Sequence, residues 1–532
     1  MNLHPALQPV AAMMQAGRIA DACAALAGLA PNAAPLDQRM QATVEVARHA
    51  LTNGLAAAAL SATEPLAGRS NATAGLIDIH AQVLKALGRR EEALPFLERA
   101  AKVNPKSAVA EHNLGAALGD EQHFADAEAA IRRALAKGGD APETWLVLAR
   151  ALQGQDRFDE AEAAFAEVAR RRPNYGVALR EWAQLIWMRT EDMAAATAPI
   201  DQALKAAPGD FSLLSARAKV FENAGDVAGA LAMLRDTADR ADASAEVLVG
   251  AAQAAAICDP AAGVAYAERA IALAGMPAAS TLAEAYLSVG RADAAEQVAL
   301  AIVEANRFDQ GAWALLATAW RILGDARYPA LYDYAAFVRP ALIDVPDGWD
   351  DRESYVAELG AALRALHAMK THPIGQSLRH GSQTSQSLQR SNHPAIKAFR
   401  QAVDGPIRGY MAAVGEGSDI LRSRNTGDWR FSGLWSVKLR PNGFHVDHTH
   451  PQGWLSSACY LALPKAVGAG GKEGWIKFGE PGVPTVPTLE PEHYVQPQPG
   501  LLALFPSYMW HGTVPFSGVD DRLTIAFDVV PA

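Results

Sequence analysis

The sequence predicts a multidomain α + β protein: an N-terminal α-helical repeat solenoid, then a C-terminal antiparallel β domain with flanking helices. Three observations carry this. At 532 residues the chain is too long for one hydrophobic core. Ala93, Ala127, Ala161, Ala195, Ala230 and Ala265 follow one another at steps of 34, 34, 34, 35 and 35, and a fixed period of that size marks stacked supersecondary units. From about residue 428 the helical periodicity gives way to short runs of β-branched and aromatic residues, separated by Pro and Gly.

Within one repeat, Trp145, Leu146, Leu148, Ala149 and Leu152 share one helical face, and a turn follows at Gly154–Arg157. Phe158, Ala161, Ala164, Phe165 and Val168 form a second helix that stops before Pro173. Small residues stand where the two helices approach. Segments such as Leu87-Gly88-Arg89-Arg90-Glu91-Glu92-Ala93-Leu94 and Gly290-Arg291-Ala292-Asp293-Ala294-Ala295 resemble tetratricopeptide repeats. The resemblance spans residues 1–340, about nine units, and implies a solenoid with a concave groove. Such a groove holds a peptide or serves assembly, including a homodimer through the repeats, and both uses stay open. Trp145, Trp182 and Trp187 are expected as packing residues, and His80, His112 and His123 as ordinary packed or solvated histidines.

The periodicity ends after Gly324-Asp325, and Asp344–Trp349 carries Pro, Gly and Asp without helical pattern. This places the first domain at 1–340. Residues 341–427 form a helical lead-in, with amphipathic helices at Arg352–Met369 and His393–Val414. Between them, the polar stretch Gln376–Gln389 is either a linker or a loop covering the active site. Strands are expected at Trp429–Leu439, Trp454–Leu463, Gly474–Phe478, Gly500–Phe505, Trp510–Val514 and Arg522–Val530, making 428–532 a double-stranded β-helix of jelly-roll, cupin-like type.

The totals exclude some partners. Lys plus Arg number 48 and Asp plus Glu 58, a net charge of −10, so no general polyanion-binding surface and no nucleic-acid partner is expected. Cys23, Cys258 and Cys459 are odd in number, far apart and outside any CxxC pair, which suits a reducing compartment. The N-terminus lacks a basic, then apolar leader, and no apolar window is long enough to span a bilayer. No membrane association and a cytoplasmic location are expected.

Histidines and carboxylates concentrate near the end, in Phe444-His445-Val446-Asp447-His448-Thr449-His450-Pro451, in Trp510-His511-Gly512, and before Arg522-Leu523-Thr524. A mononuclear iron site of oxygenase type wants two imidazoles and usually a carboxylate on one face of the metal. Residues at i and i+2 of a strand share a side, so His445/Asp447 and His448/His450 are both candidate pairs. They have opposite parity, and a regular strand cannot aim both at one metal.

Residues 430–530 look like the iron- and 2-oxoglutarate-dependent oxygenases. The matching residues are His448-Thr449-His450-Pro451, Gly453–Tyr460, Leu504-Phe505-Pro506-Ser507, Trp510-His511-Gly512-Thr513 and Arg522–Asp528. The resemblance implies Fe(II), with 2-oxoglutarate and dioxygen as cosubstrates. The general superfamily pattern His-x-Asp fits His445/Asp447. The aspartyl/asparaginyl β-hydroxylase pattern, His-x-Gly-Pro with an inward polar residue about a dozen positions on, fits His448 with Tyr460 better, and this pair is preferred. The resemblance then implies iron ligands His448, His450 and His511, with His450 in the place of the usual carboxylate, either ligating the iron or hydrogen-bonding a water on it, and Asp447 as an orienting group. Arg522 would hold the far carboxylate of 2-oxoglutarate, brought beside the iron by a hairpin Val514–Asp521, with Thr524 and Tyr460 as further donors. His448, His450, His511 and Arg522 are the expected catalytic residues. The expected activity is hydroxylation of a protein or peptide side chain recruited by the repeats. An oxygenase of a small or carrier-bound metabolite, and a scaffold with a silent barrel, are the alternatives.

Overall fold

The computed structural model describes residues 3–532. It contains two compact units, one ending at Pro173 and the other running Asn174–Ala532. The first unit is five helix pairs, from Gln8–Gln15 with Ile19–Ala27 to Pro142–Gln153 with Phe158–Arg171. The second begins with four more pairs: Gly176–Thr190 with Met193–Ala206, Phe211–Asn223 with Val227–Ala238, Ala245–Cys258 with Pro260–Ala274, and Ala279–Ser288 with Ala292–Ala305. The helix Gln310–Leu323 ends the series. Among the described residues no helix is long and apolar enough to cross a membrane.

The repeat lattice has a direct packing cause. In the second helix of each pair the fourth residue is small and buried: Ala22, Ala59, Ala93, Ala127 and Ala161 in the first unit, then Ala196, Ala230, Gly263 and Ala295 in the second. At Gly263 a Cβ would meet the Ala256 nitrogen at 3.2 Å and the Ala252 oxygen at 3.3 Å, so the paired helices touch backbone to backbone. Two alanines of the sequence lattice are therefore corrected. Ala195 is only half-buried and Ala265 is exposed. The turns inside those pairs shorten to Glu191-Asp192 and to Asp259 alone, which moves the helix starts relative to a strict period.

The β domain has nine strands among the described residues: β1 (Arg339–Leu342), β2 (Leu378–Gln383), β3 (Trp429–His445), β4 (Leu455–Ala462), β5 (Ile476–Phe478), β6 (His493–Val495), β7 (Leu501–Pro506), β8 (His511–Thr513) and β9 (Arg522–Pro531). A six-stranded antiparallel sheet runs β1-β7-β4-β9-β3-β2, and a three-stranded one β6-β5-β8. Their inner faces meet through edge-to-face rings, Phe478 of β5 against Phe505 of β7 with centroids 5.0 Å apart. This two-sheet arrangement is consistent with a jelly-roll oxygenase domain.

All six expected strands are present, and three further ones are added. Within the polar stretch Gln376–Gln389, residues Leu378–Gln383 form strand β2, an edge of the large sheet paired to β3, rather than linker or loop. Strand β1, paired to β7, runs Arg339–Leu342 and so straddles the expected boundary between the repeats and the helical lead-in. The helices Arg352–Arg364 and Pro394–Val414 flank the sheet, the first shorter than expected.

The last repeats and the sheets share one hydrophobic core, running from Ala283 and Leu316 through Tyr332 to Phe505, Trp510 and Phe527. Polar contacts fix the junction. The Trp510 indole donates to Thr318 Oγ1 at 2.9 Å, and Tyr332 Oη donates to the Tyr508 carbonyl at 2.9 Å. Because Trp510 precedes His511, the helix Gln310–Leu323 sets where that histidine stands.

Candidate active site

Strand β3 stops at His445, and the chain then leaves the sheet. His448 instead meets the small sheet through one isolated bridge to His511 of β8, with His448 N to His511 O at 2.9 Å and His511 N to His448 O at 3.1 Å. His450 N donates to Ser507 O at 3.0 Å. These backbone bonds put three imidazoles from two distant segments at one point.

Each ring is oriented from behind. His448 Nδ1 faces the Val446 carbonyl at 2.9 Å, His511 Nδ1 the Met509 carbonyl at 2.9 Å, and His450 Nδ1 the Asp528 carboxylate at 2.6 Å. Since all three partners are acceptors, each Nδ1 carries the hydrogen and each Nε2 turns a lone pair inward. One ligand atom from each of His448, His450 and His511 lies within 4.8 Å of the others, and the Nε2 atoms of His448 and His450 are 3.1 Å apart. Two lone pairs at that separation repel unless a cation lies between them. The donor set therefore fits a metal ion that accepts imidazole nitrogen, iron included. Burial pushes His448 down to about 3 and His511 well below the usual histidine range, so these two rings are neutral at physiological pH.

The other candidate pair separates. His445 faces the same cavity, its Nδ1 2.9 Å from Ser377 Oγ, which also lies 3.2 Å from His448 Nε2. Asp447 is held differently: its Oδ2 pairs with Lys477 Nζ at 2.8 Å, its Oδ1 is buried without a hydrogen-bond partner, and it is not among the three residues that converge. The parity argument assumed a continuing strand, and the turn after His445 removes it. The carboxylate that orients an imidazole is Asp528, which also accepts from Ser456 Oγ at 2.7 Å.

Arg522, the first residue of β9, is buried, and its Nε and Nη1 have no hydrogen-bond partner. Neither Asp520 nor Asp521 pairs with it. Its guanidinium carbon lies 5.0 Å from the Tyr460 ring, and the buried Tyr460 hydroxyl also lacks a partner. A buried cation without a counter-ion is costly, and burial lowers its pKa. Its orphaned donors suit a bound carboxylate. Thr524 lines the cavity with Arg522, whereas Tyr460 is not part of the lining. The expected hairpin Val514–Asp521 is corrected: β8 pairs with β5 in the small sheet and β9 with β3 in the large one, so the connection crosses between sheets.

These groups enclose one cavity of ≈ 690 Å³, whose wall also includes Trp435, Ser377, Arg379, and Lys219, Glu222 and Asn223 of the repeat helix Phe211–Asn223. Asn223 Oδ1 accepts from Gly375 N at 2.9 Å, tying that helix to the segment before β2. Lys219 and Glu222 pair at 2.7 Å. Sequence reasoning missed Asp528, although residues 522, 524, 526 and 528 alternate inward along β9 and all line the cavity. Ser377 and Arg379 fall in the polar stretch Gln376–Gln389 that the sequence offered as a possible cover of the site, without a role for either, and nothing in the sequence pointed to Asn223.

Fold and site thus define a two-sheet domain, carried by helical repeats, that gathers three imidazoles and an uncompensated arginine in one cavity. Comparison with known proteins gives this class its family. Residues 433–528 match the family described as "Putative 2OG-Fe(II) oxygenase", and residues 79–107 and 118–183 match tetratricopeptide-repeat families. The chain thus joins segments that match tetratricopeptide-repeat families to a segment that matches the "Putative 2OG-Fe(II) oxygenase" family. No curated protein matches it. Among solved structures, a tetratricopeptide repeat protein from Parabacteroides merdae is 14% identical with a TM-score of 0.34, over 46% of this chain and 97% of that one. MamA from Desulfovibrio magneticus is 15% identical with a TM-score of 0.29, over 32% and 96%. A thermophilic repeat protein of Thermus thermophilus is 25% identical with a TM-score of 0.26, over 35% and 98%.

Proposed function

We propose that the protein is an Fe(II)- and 2-oxoglutarate-dependent hydroxylase acting on a protein or peptide side chain that the repeats recruit. The observation that carries this reading is the meeting, in one cavity, of three inward imidazole nitrogens and a buried arginine without a counter-ion. His448, His450 and His511 hold the iron. When bound, iron and 2-oxoglutarate supply oxidative decarboxylation, delivering one oxygen atom of dioxygen to succinate and the other to a C–H bond of the target.

The chain's own residues prepare that chemistry. Arg522 offers its planar fork to the cosubstrate's far carboxylate, and Thr524 adds a hydroxyl from the same strand face. Asp528 fixes the tautomer and angle of His450. Trp435, with its ring 5.8 Å from that of His450, walls the site from water. Recruitment by the repeats is supported by Lys219, Glu222 and Asn223, since a repeat helix itself forms part of the cavity wall.

The full-length protein is expected to convert 2-oxoglutarate to succinate only with Fe(II) and dioxygen, slowly without its target. Arg522→Ala should raise the 2-oxoglutarate requirement at least tenfold while iron binding is kept. Succinate formation that needs no iron would sink the assignment.

A further inference from the structure

We propose that Arg379 is an anion subsite that holds a carboxylate of the substrate, so that the target carries an acidic group near its oxidised carbon. This rests on the hydroxylase reading. Besides Arg522, Arg379 is the arginine in the cavity lining, and it also lines a second cavity of ≈ 510 Å³ with Trp187, His372 and Phe444. It therefore stands where the two spaces meet, and Asn223 borders both with it.

The chain holds this guanidinium in place without neutralising it. Arg379 Nη1 donates to the carbonyls of Gln376 at 2.7 Å and Leu378 at 2.9 Å. Among the described residues its Nε and Nη2 have no acceptor, and no carboxylate pairs with it. The backbone is bent to this end. The register of β2 against β3 shifts between Arg379 and Gly381, and His380 between them takes φ +54°, a left-handed conformation costly for a residue with a side chain. At Gly381 a Cβ would meet the Lys438 carbonyl at 2.5 Å, so glycine lets β2 press against β3 through the bulge. Bulges at sheet edges re-aim side chains.

The charge count selects the ligand class. Of the lysine and arginine side chains in the lining, Lys219 is paired with Glu222, so Arg379 is left without a carboxylate partner once Arg522 binds the cosubstrate. Nε and Nη2 present a flat two-donor edge that matches the two oxygens of a carboxylate. A phosphate dianion would call for more cations than this site offers.

The test uses full-length protein under nitrogen with Fe(II) and saturating 2-oxoglutarate. Calorimetry compares the peptide Ac-Ala-Ala-Asp-Ala-Ala-NH2, its Asn counterpart and free N-acetylaspartate. The Asp peptide should bind at least tenfold more tightly than the Asn peptide. Arg379→Gln should erase that preference and Arg379→Lys retain part of it, with 2-oxoglutarate affinity within twofold throughout and melting curves unchanged. Competition by N-acetylaspartate at equal affinity assigns a free acid as ligand, and its failure to compete assigns an acidic peptide; both support the subsite. A preference that persists in Arg379→Gln, a wild type without preference, or a variant that weakens only 2-oxoglutarate overturns it. If the wild type binds no 2-oxoglutarate, the hydroxylase reading fails, and the same titrations without cosubstrate still read the subsite.

Discussion

Two carboxylates stand close to the histidines, one in sequence and one in space. Asp447 immediately precedes His448, yet its carboxylate pairs with Lys477 outside the cavity. Asp528 follows His450 by 78 residues and contacts its imidazole at 2.6 Å. The difference lies in what the backbone does at each place. Strand β3 ends at His445, and the following turn aims successive side chains independently, so nearness along the chain loses its meaning. Strand β9 stays extended, and Arg522, Thr524, Ala526 and Asp528 keep one facing throughout. A ligand set is therefore easier to infer from a strand that continues than from a motif that sits at a strand's end.

Four substitutions break or sharpen this contrast. The largest effect is expected for His511→Ala, which removes one of the three proposed ligands and should abolish stoichiometric iron binding and succinate formation, read by iron analysis of the purified protein. Asp528→Ala leaves the ligands but frees His450 to turn, and iron affinity should fall by roughly 10- to 100-fold, the usual cost of losing such a partner; calorimetry with Fe(II) measures it. Asp447→Asn should change iron affinity by less than about threefold. It should instead lower the melting temperature, since it removes an ion pair of a largely buried lysine at a cost of order 1–3 kcal/mol, softened because Lys477 keeps Glu480.

The smallest effect at neutral pH belongs to His372, remote from both carboxylates. Burial, with Arg379 nearby, pushes it down to about 4. Its unfolded form titrates near the ordinary histidine value of about 6.5, so the unfolded chain takes up the proton first. Stability carried by neutral His372 is whole above that value and is lost as pH falls toward 4, at roughly 1.4 kcal/mol per pH unit. His372→Phe should flatten the decline of denaturation midpoints between pH 6.5 and 4 by about one proton's worth. An unchanged slope would place the acid sensitivity elsewhere.

Much of the molecule was legible because strong periodicities produced it. The repeat period follows from the small residue needed where each helix pair touches, and it blurred only where turns shortened, at Ala195 and Ala265. The long strands carried β-branched and aromatic runs, whereas β1 contains Pro340, β6 is three residues long, and β2 reads Leu-Arg-His-Gly-Ser-Gln without alternation of apolar residues. Such edges form because a partner strand offers hydrogen bonds, which no local pattern announces. In the site, the resemblance to the oxygenases nominated His448, His450, His511 and Arg522, and these four line one cavity. Asn223 and Arg379 reach the cavity only because tertiary packing lays a repeat helix and a bulged edge strand beside it, and the supposed hairpin failed because β8 and β9 join different sheets.

The central claim is that three imidazoles, with no carboxylate from Asp447, hold the iron that turns over 2-oxoglutarate. It is tested most directly by measuring bound iron and succinate in the same anaerobically loaded, then aerated, samples of wild type, His448→Ala and Asp447→Asn. Stoichiometric iron and succinate are expected in wild type and Asp447→Asn, and neither in His448→Ala. Iron and succinate retained in His448→Ala but lost in Asp447→Asn would contradict it.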